Sequence, residues 1–170
     1  MVVIKSKGIV LRSMTLSADD INSYLECHRD DEAKKNFMSV PEDLKEARKE
    51  VRHNSKDGLM LKIEAGGRFA GFIRLELNKN PRYRHSAIVG YGIHPGFRGR
   101  GLATKALRMV SAYGFKKLKL VRITGMCRTF NRASARVLEK AGFKLEGILR
   151  KNKLKDGKYL DDMLWAKVRQ

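Results

Sequence analysis

Cysteine, proline and long apolar runs are the things this sequence has least of. Two cysteines in 170 residues, Cys27 and Cys127, cannot build a disulfide framework. Three prolines and fifteen glycines exclude a collagenous or low-complexity chain. No run approaches the ~18 consecutive apolar residues of a membrane-spanning helix. The opening MVVIKSKGIVLRSM has too short an apolar stretch for a secretory signal and no small-residue cleavage site. What is present is a core, with 42% hydrophobic residues including one Trp, five Tyr and seven Phe, which argues against disorder. With no Pro/Gly/Ser-rich linker and no internal repeat, the expectation is a single cytoplasmic domain over residues 1–170.

Acidic residues are scarce as well: 18 Asp and Glu stand against 37 Lys and Arg, a net charge of +19. Such a field attracts polyanions (nucleic acid, nucleotide cofactors, acidic proteins) and repels polycations. The same charge is equally compatible with a solvated Lys-rich surface that has no dedicated partner. The basic run Lys116, Lys117, Lys119 and the pair Lys151, Lys153 lack interleaved aromatics, so they read as a charged surface, with non-specific RNA contact as the alternative. His28, His53, His85 and His94 show no metal-ligand spacing with each other or with the cysteines, and no metal is expected. Cys127 reads as a small core residue. Monomer and homodimer are both left open.

Hydrophobic periodicity predicts a strand at Lys7–Arg12 and a helix over about Ala18–Arg29, opened by Ser17 and Asp20. A second helix is expected from about Pro41 to Arg52. Leu59–Glu64 and Phe69–Leu77 form a hairpin around Gly66-Gly67, and Ala87–Ile93 is a further strand. Leu102, Ala103, Ala106, Leu107, Val110 and Tyr113 recur at helical spacing. Val121–Met126 alternates as a strand, and Ala133–Lys140 is a helix ended by Gly142. Phe143–Leu149 and Tyr159–Val168 pair through Asp156-Gly157. This order gives an α/β (α+β) domain, with a mixed central sheet of about seven strands flanked by about four helices.

The informative segment is Tyr91-Gly-Ile-His-Pro-Gly-Phe-Arg-Gly-Arg-Gly-Leu-Ala-Thr104. A strand ends, a glycine-rich basic turn follows, and an amphipathic helix begins. Such a junction offers unpaired backbone N–H groups at the positive end of a helix dipole, with no bulky Cβ in the way, and so can cradle a phosphate. It is not a P-loop, because Leu102 follows Gly101 where that loop needs Lys. Nor is it a dinucleotide fingerprint, because Thr104 stands at the third glycine position.

Arg98-x-x-Gly101-x-Ala103 resembles the (Arg/Gln)-x-x-Gly-x-(Gly/Ala) motif of the GNAT acetyltransferase superfamily, and Asn131-Arg-Ala-Ser134 through Gly142-Phe143 resembles its second signature. Glu146-Gly147 and Gly157-Lys-Tyr159-x-Asp161 are similar to the branch that acetylates the amino termini of ribosomal proteins. The resemblance covers about Gly58 to the C-terminus. It implies an acetyl-CoA-dependent N-acetyltransferase whose cofactor-binding core spans about residues 86–145. Gly99, Arg100, Gly101, Leu102, Ala103 and Thr104 would hold the pyrophosphate of acetyl-CoA, with charge added by Arg98 and Arg100. Tyr91, Gly92 and Ile93 would pair with the pantetheine arm, and Asn131 would cap its helix and touch the cofactor.

The implied reaction is direct attack of an amine on the thioester, which needs a base, an oxyanion donor and an acid for the leaving sulfur. The tyrosine acid of many relatives falls on Leu138; the resemblance to the ribosomal-protein branch implies Ser134 as the replacement, a residue that also reads as a small helix-packing position. For the base the candidates are Glu76, Glu146, Asp161 and His94, or a water chain; each of these residues also reads as a solvated or ion-paired group. The expected acceptor is a protein or peptide N-terminal amine, with a ribosomal protein among the candidates. The alternatives are a small-molecule amine, or a nucleic-acid or ribosome-binding protein that keeps the fold without the activity.

Overall fold

Strands and helices follow the alternation and capping signals of the chain. The computed structural model describes residues 1–170 and has the strands β1 (Val3–Ser6), β2 (Ile9–Ser13), β3 (Gly58–Ala65), β4 (Arg68–Leu77), β5 (Ser86–Ile93), β6 (Arg122–Arg128), β7 (Lys144–Lys155) and β8 (Lys158–Val168). The helices are α1 (Ala18–Glu26), α2 (Asp31–Asn36), α3 (Leu44–Lys56), α4 (Leu102–Lys116) and α5 (Arg132–Lys140). The sheet order is β1-β2-β3-β4-β5-β6-β8-β7. Every neighbouring pair is antiparallel except β5 and β6, which the α4 crossover makes parallel.

The single first strand expected at Lys7–Arg12 is instead a hairpin, because Gly8 at φ +77° lets the chain reverse between β1 and β2. The eighth strand and fifth helix come from such short pieces. Helix α2 has only Ala33 buried, so it carries no hydrophobic period to read, and its one signal is the Asp30 side chain accepting from the Ala33 N–H at 2.9 Å. Helix α3 starts at Leu44 rather than Pro41 because the Asp43 carboxylate accepts from the Glu46 N–H at 2.8 Å.

Strand alternation divides the core in two. Leu61, Ile63, Ile73 and Leu75 face α4 together with Ala106, Leu107 and Val110. Met60 and Phe72 lie on the opposite face with Ile21, Tyr24, Leu25, Ala47 and Val51 of α1 and α3. The site described below lies where these two layers meet the second half of the sheet.

A buried ion pair ties β6 to β8 next to that site. Arg128 and Asp162 are register partners, 6% and 2% exposed, and the guanidinium donates to Asp162 Oδ1. Asn152 Nδ2 of β7 donates to the other carboxylate oxygen at 2.7 Å. Removing one member leaves the other charge buried and unpaired, whereas an apolar pair of similar volume carries no such cost. Asp162→Ala is therefore expected to destabilise the protein by about 3–5 kcal/mol in urea unfolding, with the double variant Arg128→Met/Asp162→Leu recovering most of the loss. A single-variant loss below about 1 kcal/mol, the scale of an exposed pair, would contradict this.

Candidate active site

Strands β5 and β6 part company halfway along their length. Their parallel pairing runs only from Ser86↔Arg122 to Val89↔Gly125, while β5 stays paired with β4 as far as Gly71↔Ile93. Beyond Val89 one edge of β5 therefore has no strand partner. The His94 N–H donates to Ala70 O at 3.0 Å, and antiparallel alternation then assigns the backbone of Gly92 and Gly90 to β4 and that of Tyr91 and Ile93 to the open edge. Ile93 O already accepts from Arg98 Nε at 3.2 Å. The edge thus offers the Tyr91 N–H and C=O and the Ile93 N–H. Gly92 serves packing instead, since a Cβ there would lie 2.6 Å from the Phe72 ring.

The open edge leads into the glycine-rich turn. A 3₁₀ turn, Pro95–Phe97, precedes Gly99 and Gly101, which sit at φ +76° and +71°, conformations that favour glycine. A Cβ on either would meet nothing within 4 Å, so open space lies before both. None of the backbone N–H groups from Gly99 to Thr104 has a partner within the protein, and the first helical bond is Lys105 N–H to Gly101 O at 3.1 Å. Six successive donors therefore stand at the N-terminus of the 15-residue helix α4, which suits a pyrophosphate. The two arginines of this turn shape it. Arg98 pairs with Asp30 and Glu32, and Arg100 donates to Gly96 O at 3.0 Å while lying over the Phe97 ring.

Across the gap stand two hydroxyls. Tyr91 Oη and Ser134 Oγ are 2.8 Å apart. Asn131 caps α5, its Oδ1 accepting from the Ser134 N–H at 3.0 Å, and this fixes the serine's place on the first turn. Burial pushes the Tyr91 phenol well above its ordinary range, against the opposing effect of the Ser134 contact. Burial also raises the Cys127 thiol, although Ser134 and Trp165 lie against the sulfur. The Tyr91 phenol and the Cys127 thiol thus both keep their protons at neutral pH and can donate. The sequence offers Tyr91 only as backbone; its hydroxyl takes up a position beside Ser134 that Leu138, 1% exposed against Gly125, cannot supply.

These residues border a cleft of about 850 Å³. None of the four base candidates lines it. Glu76 lies opposite Ile88, three residues down β4 from the Ile73↔Tyr91 pair, beside Arg74 at 3.6 Å and against a separate hollow with Asp57 and Lys79. Glu146 pairs with Arg122, and Asp161 Oδ1 accepts from the Lys151 N–H at 2.7 Å. His94 is held by the Gly96 N–H and lies 3.9 Å from Glu26. The carboxylates that do border the cleft are Glu46, Glu50 and Asp162. The first two sit one turn apart on the charged face of α3, outside the stripe of the buried Ala47 and Val51, where a carboxylate reads as part of a solvated surface.

Comparison with known proteins gives a consistent result. The acetyltransferase (GNAT) domain model matches residues 9–144. The Bacillus subtilis protein named "Probable N-acetyltransferase YjcK" is 43% identical over 81 residues, 48% of this chain and 45% of that protein. Spermidine N(1)-acetyltransferase of Escherichia coli K12 is 32% identical over 98 residues, 57% of this chain and 51% of that one. The chain thus spans about half the length of the curated relatives it matches. The solved structure of RimL, a ribosomal L7/L12 alpha-N-protein acetyltransferase in complex with coenzyme A, superposes with a TM-score of 0.86, 22% identity and 98% coverage of both chains. With four-fifths of its length inside the family model, this chain belongs to the GNAT acetyltransferase family.

Proposed function

We propose that this chain is an acetyl-CoA-dependent N-acetyltransferase acting on a protein or peptide N-terminal α-amine. The observation that carries the reading is the unbroken row of unpaired N–H groups, Gly99 to Thr104, reached along the open edge of β5. A pyrophosphate fits the first and an extended amide-bearing arm fits the second, as an added strand would. The open space before Gly99 and Gly101 leaves room for the diphosphate. Bound there, acetyl-CoA supplies the activated acetyl group. The N–H groups of Tyr91 and Ile93 are the donors available to hold and polarise carbonyl oxygens on that edge. Tyr91 and Ser134, hydrogen-bonded to each other, can pass a proton to a departing sulfur.

The acceptor follows from charge and acidity. Near pH 7 roughly a tenth of α-amines, with pKa about 7.7–8, are neutral, against well under a thousandth of lysine side chains at about 10.4. An α-amine therefore asks less of a carboxylate base than a lysine side chain does. A net charge of +19 repels spermidine and attracts acidic protein surfaces. RimL, a ribosomal L7/L12 alpha-N-protein acetyltransferase of the same fold, supports the same choice.

Three measurements test this. Gly101→Val forces a β-branched residue into a left-handed conformation and crowds the N–H row. Its affinity for acetyl-CoA, read by thermal shift or calorimetry, should fall by more than about tenfold, and wild-type affinity would show the cradle to be elsewhere. Ser134→Ala and Tyr91→Phe should each lower kcat by roughly tenfold to a thousandfold with cofactor affinity little changed. Full turnover in both variants would remove the pair from the mechanism. Offered peptides with free N-termini, N-blocked lysine peptides, spermidine and an aminoglycoside, the wild type should prefer the free N-terminus at low and at physiological salt. A preference for spermidine, the aminoglycoside or the blocked lysine peptide would overturn the acceptor assignment.

A further inference from the structure

The far wall of the cleft holds a carboxylate in an unusual position. Glu50, half-buried on α3, accepts from the Tyr24 hydroxyl at 2.9 Å through Oε2, and Oε1 has no donor from the protein. It has no cation within ion-pairing distance, unlike Asp162, which is matched by Arg128. Glu46, the remaining carboxylate of the cleft, accepts from the Glu42 N–H at 2.9 Å and is exposed. Glu50 is therefore the one carboxylate of this cleft that is sheltered, oriented by a neighbour and still short of a positive partner.

Its place matters because of what shares the cleft with it. Arg74 of β4 is the register partner of Gly90, and a Cβ on Gly90 would come within 2.9 Å of Arg74 Nε. The Arg74 guanidinium is fixed by Asn54 Oδ1 of α3 at 2.6 Å, one turn beyond Glu50. Glu50, Arg74 and Gly90 all line the cleft, and Gly90 is the first residue of β5 beyond its last pairing with β6. An acceptor entering from the α1–α3 side meets Glu50 before it meets the Tyr91–Ser134 pair.

Resting on the acetyltransferase reading above, we propose that Glu50 receives the acceptor's ammonium group and takes the first proton from it. The lone pair freed on nitrogen then forms the N–C bond to the acetyl carbon, and the C–S bond breaks. The second nitrogen proton ends on the sulfur through the Tyr91–Ser134 hydroxyls, which finish unchanged. Glu50 returns the first proton to solvent. Burial raises the Glu50 acid above its ordinary value, against the Tyr24 hydrogen bond and the charge of Arg74, which brings a carboxylate nearer to amine basicity. The charged and titratable groups around it are Glu46, Lys49 and His53 on its own helix, Tyr24 and His28 on or beside α1, Arg74 on β4 and Lys153 on β7.

The test is the pH dependence of kcat/KM in Glu50→Gln, whose amide oxygen can still accept from Tyr24, and in Glu50→Asp. Wild-type kcat/KM should rise as pH passes the raised carboxyl value and level off below the amine's own pKa. Glu50→Gln should lose about a hundredfold or more near pH 6–7, climb with pH toward the amine pKa of about 8, and narrow its deficit there. Glu50→Asp should recover part of the rate and the wild-type profile shape, and acetyl-CoA affinity should be unchanged in both. Glu50→Gln matching wild type across the range overturns this assignment and leaves the acetyltransferase reading standing. A uniform, pH-independent loss shared by both variants marks a structural role and also overturns it. A wild type that turns over no amine overturns both.

Discussion

Everything at the candidate site depends on the parallel pairing of β5 and β6 stopping at Val89 and Gly125. Four matched residues are enough to make one continuous sheet of eight strands, and the remainder of β5 is left with one free edge. Backbone groups in a sheet interior are normally paired, and an edge left open inside a fold is a template for another strand. Here the edge is flanked by β6 and α5 on one side and by the turn into α4 at its end. Gly125 lets Leu138 approach the sheet at the last paired position, where a side chain would come within 2.6 Å of it.

The charge of the chain takes on a different meaning once its arginines are located. Arg98 and Arg100, the arginines of the glycine-rich turn, are engaged by Asp30, Glu32 and Gly96 O and shape the loop. In the proposed function, selectivity for a diphosphate rests on fixed N–H dipoles, which are less sensitive to salt than a diffuse cationic surface. The surplus of lysine and arginine raises the local concentration of anions in general, while the ordered donor row can distinguish one anion from another.

The sequence makes the local parts of the site readable and hides the long-range ones. The turn and helix start are consecutive residues, so glycine spacing after an apolar strand identifies them directly. Asn131 and Ser134 are three apart, and the cap that joins them is a local signal. The Tyr91–Ser134 contact spans 43 positions, and nothing near either residue announces the other. Where a parallel pairing ends is decided by tertiary packing, so the open edge cannot be read from alternation in β5, whose apolar pattern continues through it. The strand carboxylates Glu76 and Glu146 fail as cleft residues for the same reason, because register places them lower on the sheet, beside Arg74 and Arg122. Glu50 is hidden by its neighbours, since it sits among the acidic and basic residues of the charged face of α3, beside the narrow stripe that buries Ala47 and Val51.

The central claim is that coenzyme A is held by the Gly99–Thr104 donors and by the open edge of β5, and amide chemical shifts of the ¹⁵N-labelled protein during titration with coenzyme A test it most directly. The largest shifts should fall on Gly99 to Thr104, Tyr91 and Ile93, and should persist at physiological salt. Shifts spread over the basic hairpin Arg150–Lys158 and the Lys116–Lys119 run, and fading as salt rises, would show that the protein binds the cofactor only as one polyanion among many and would contradict the account.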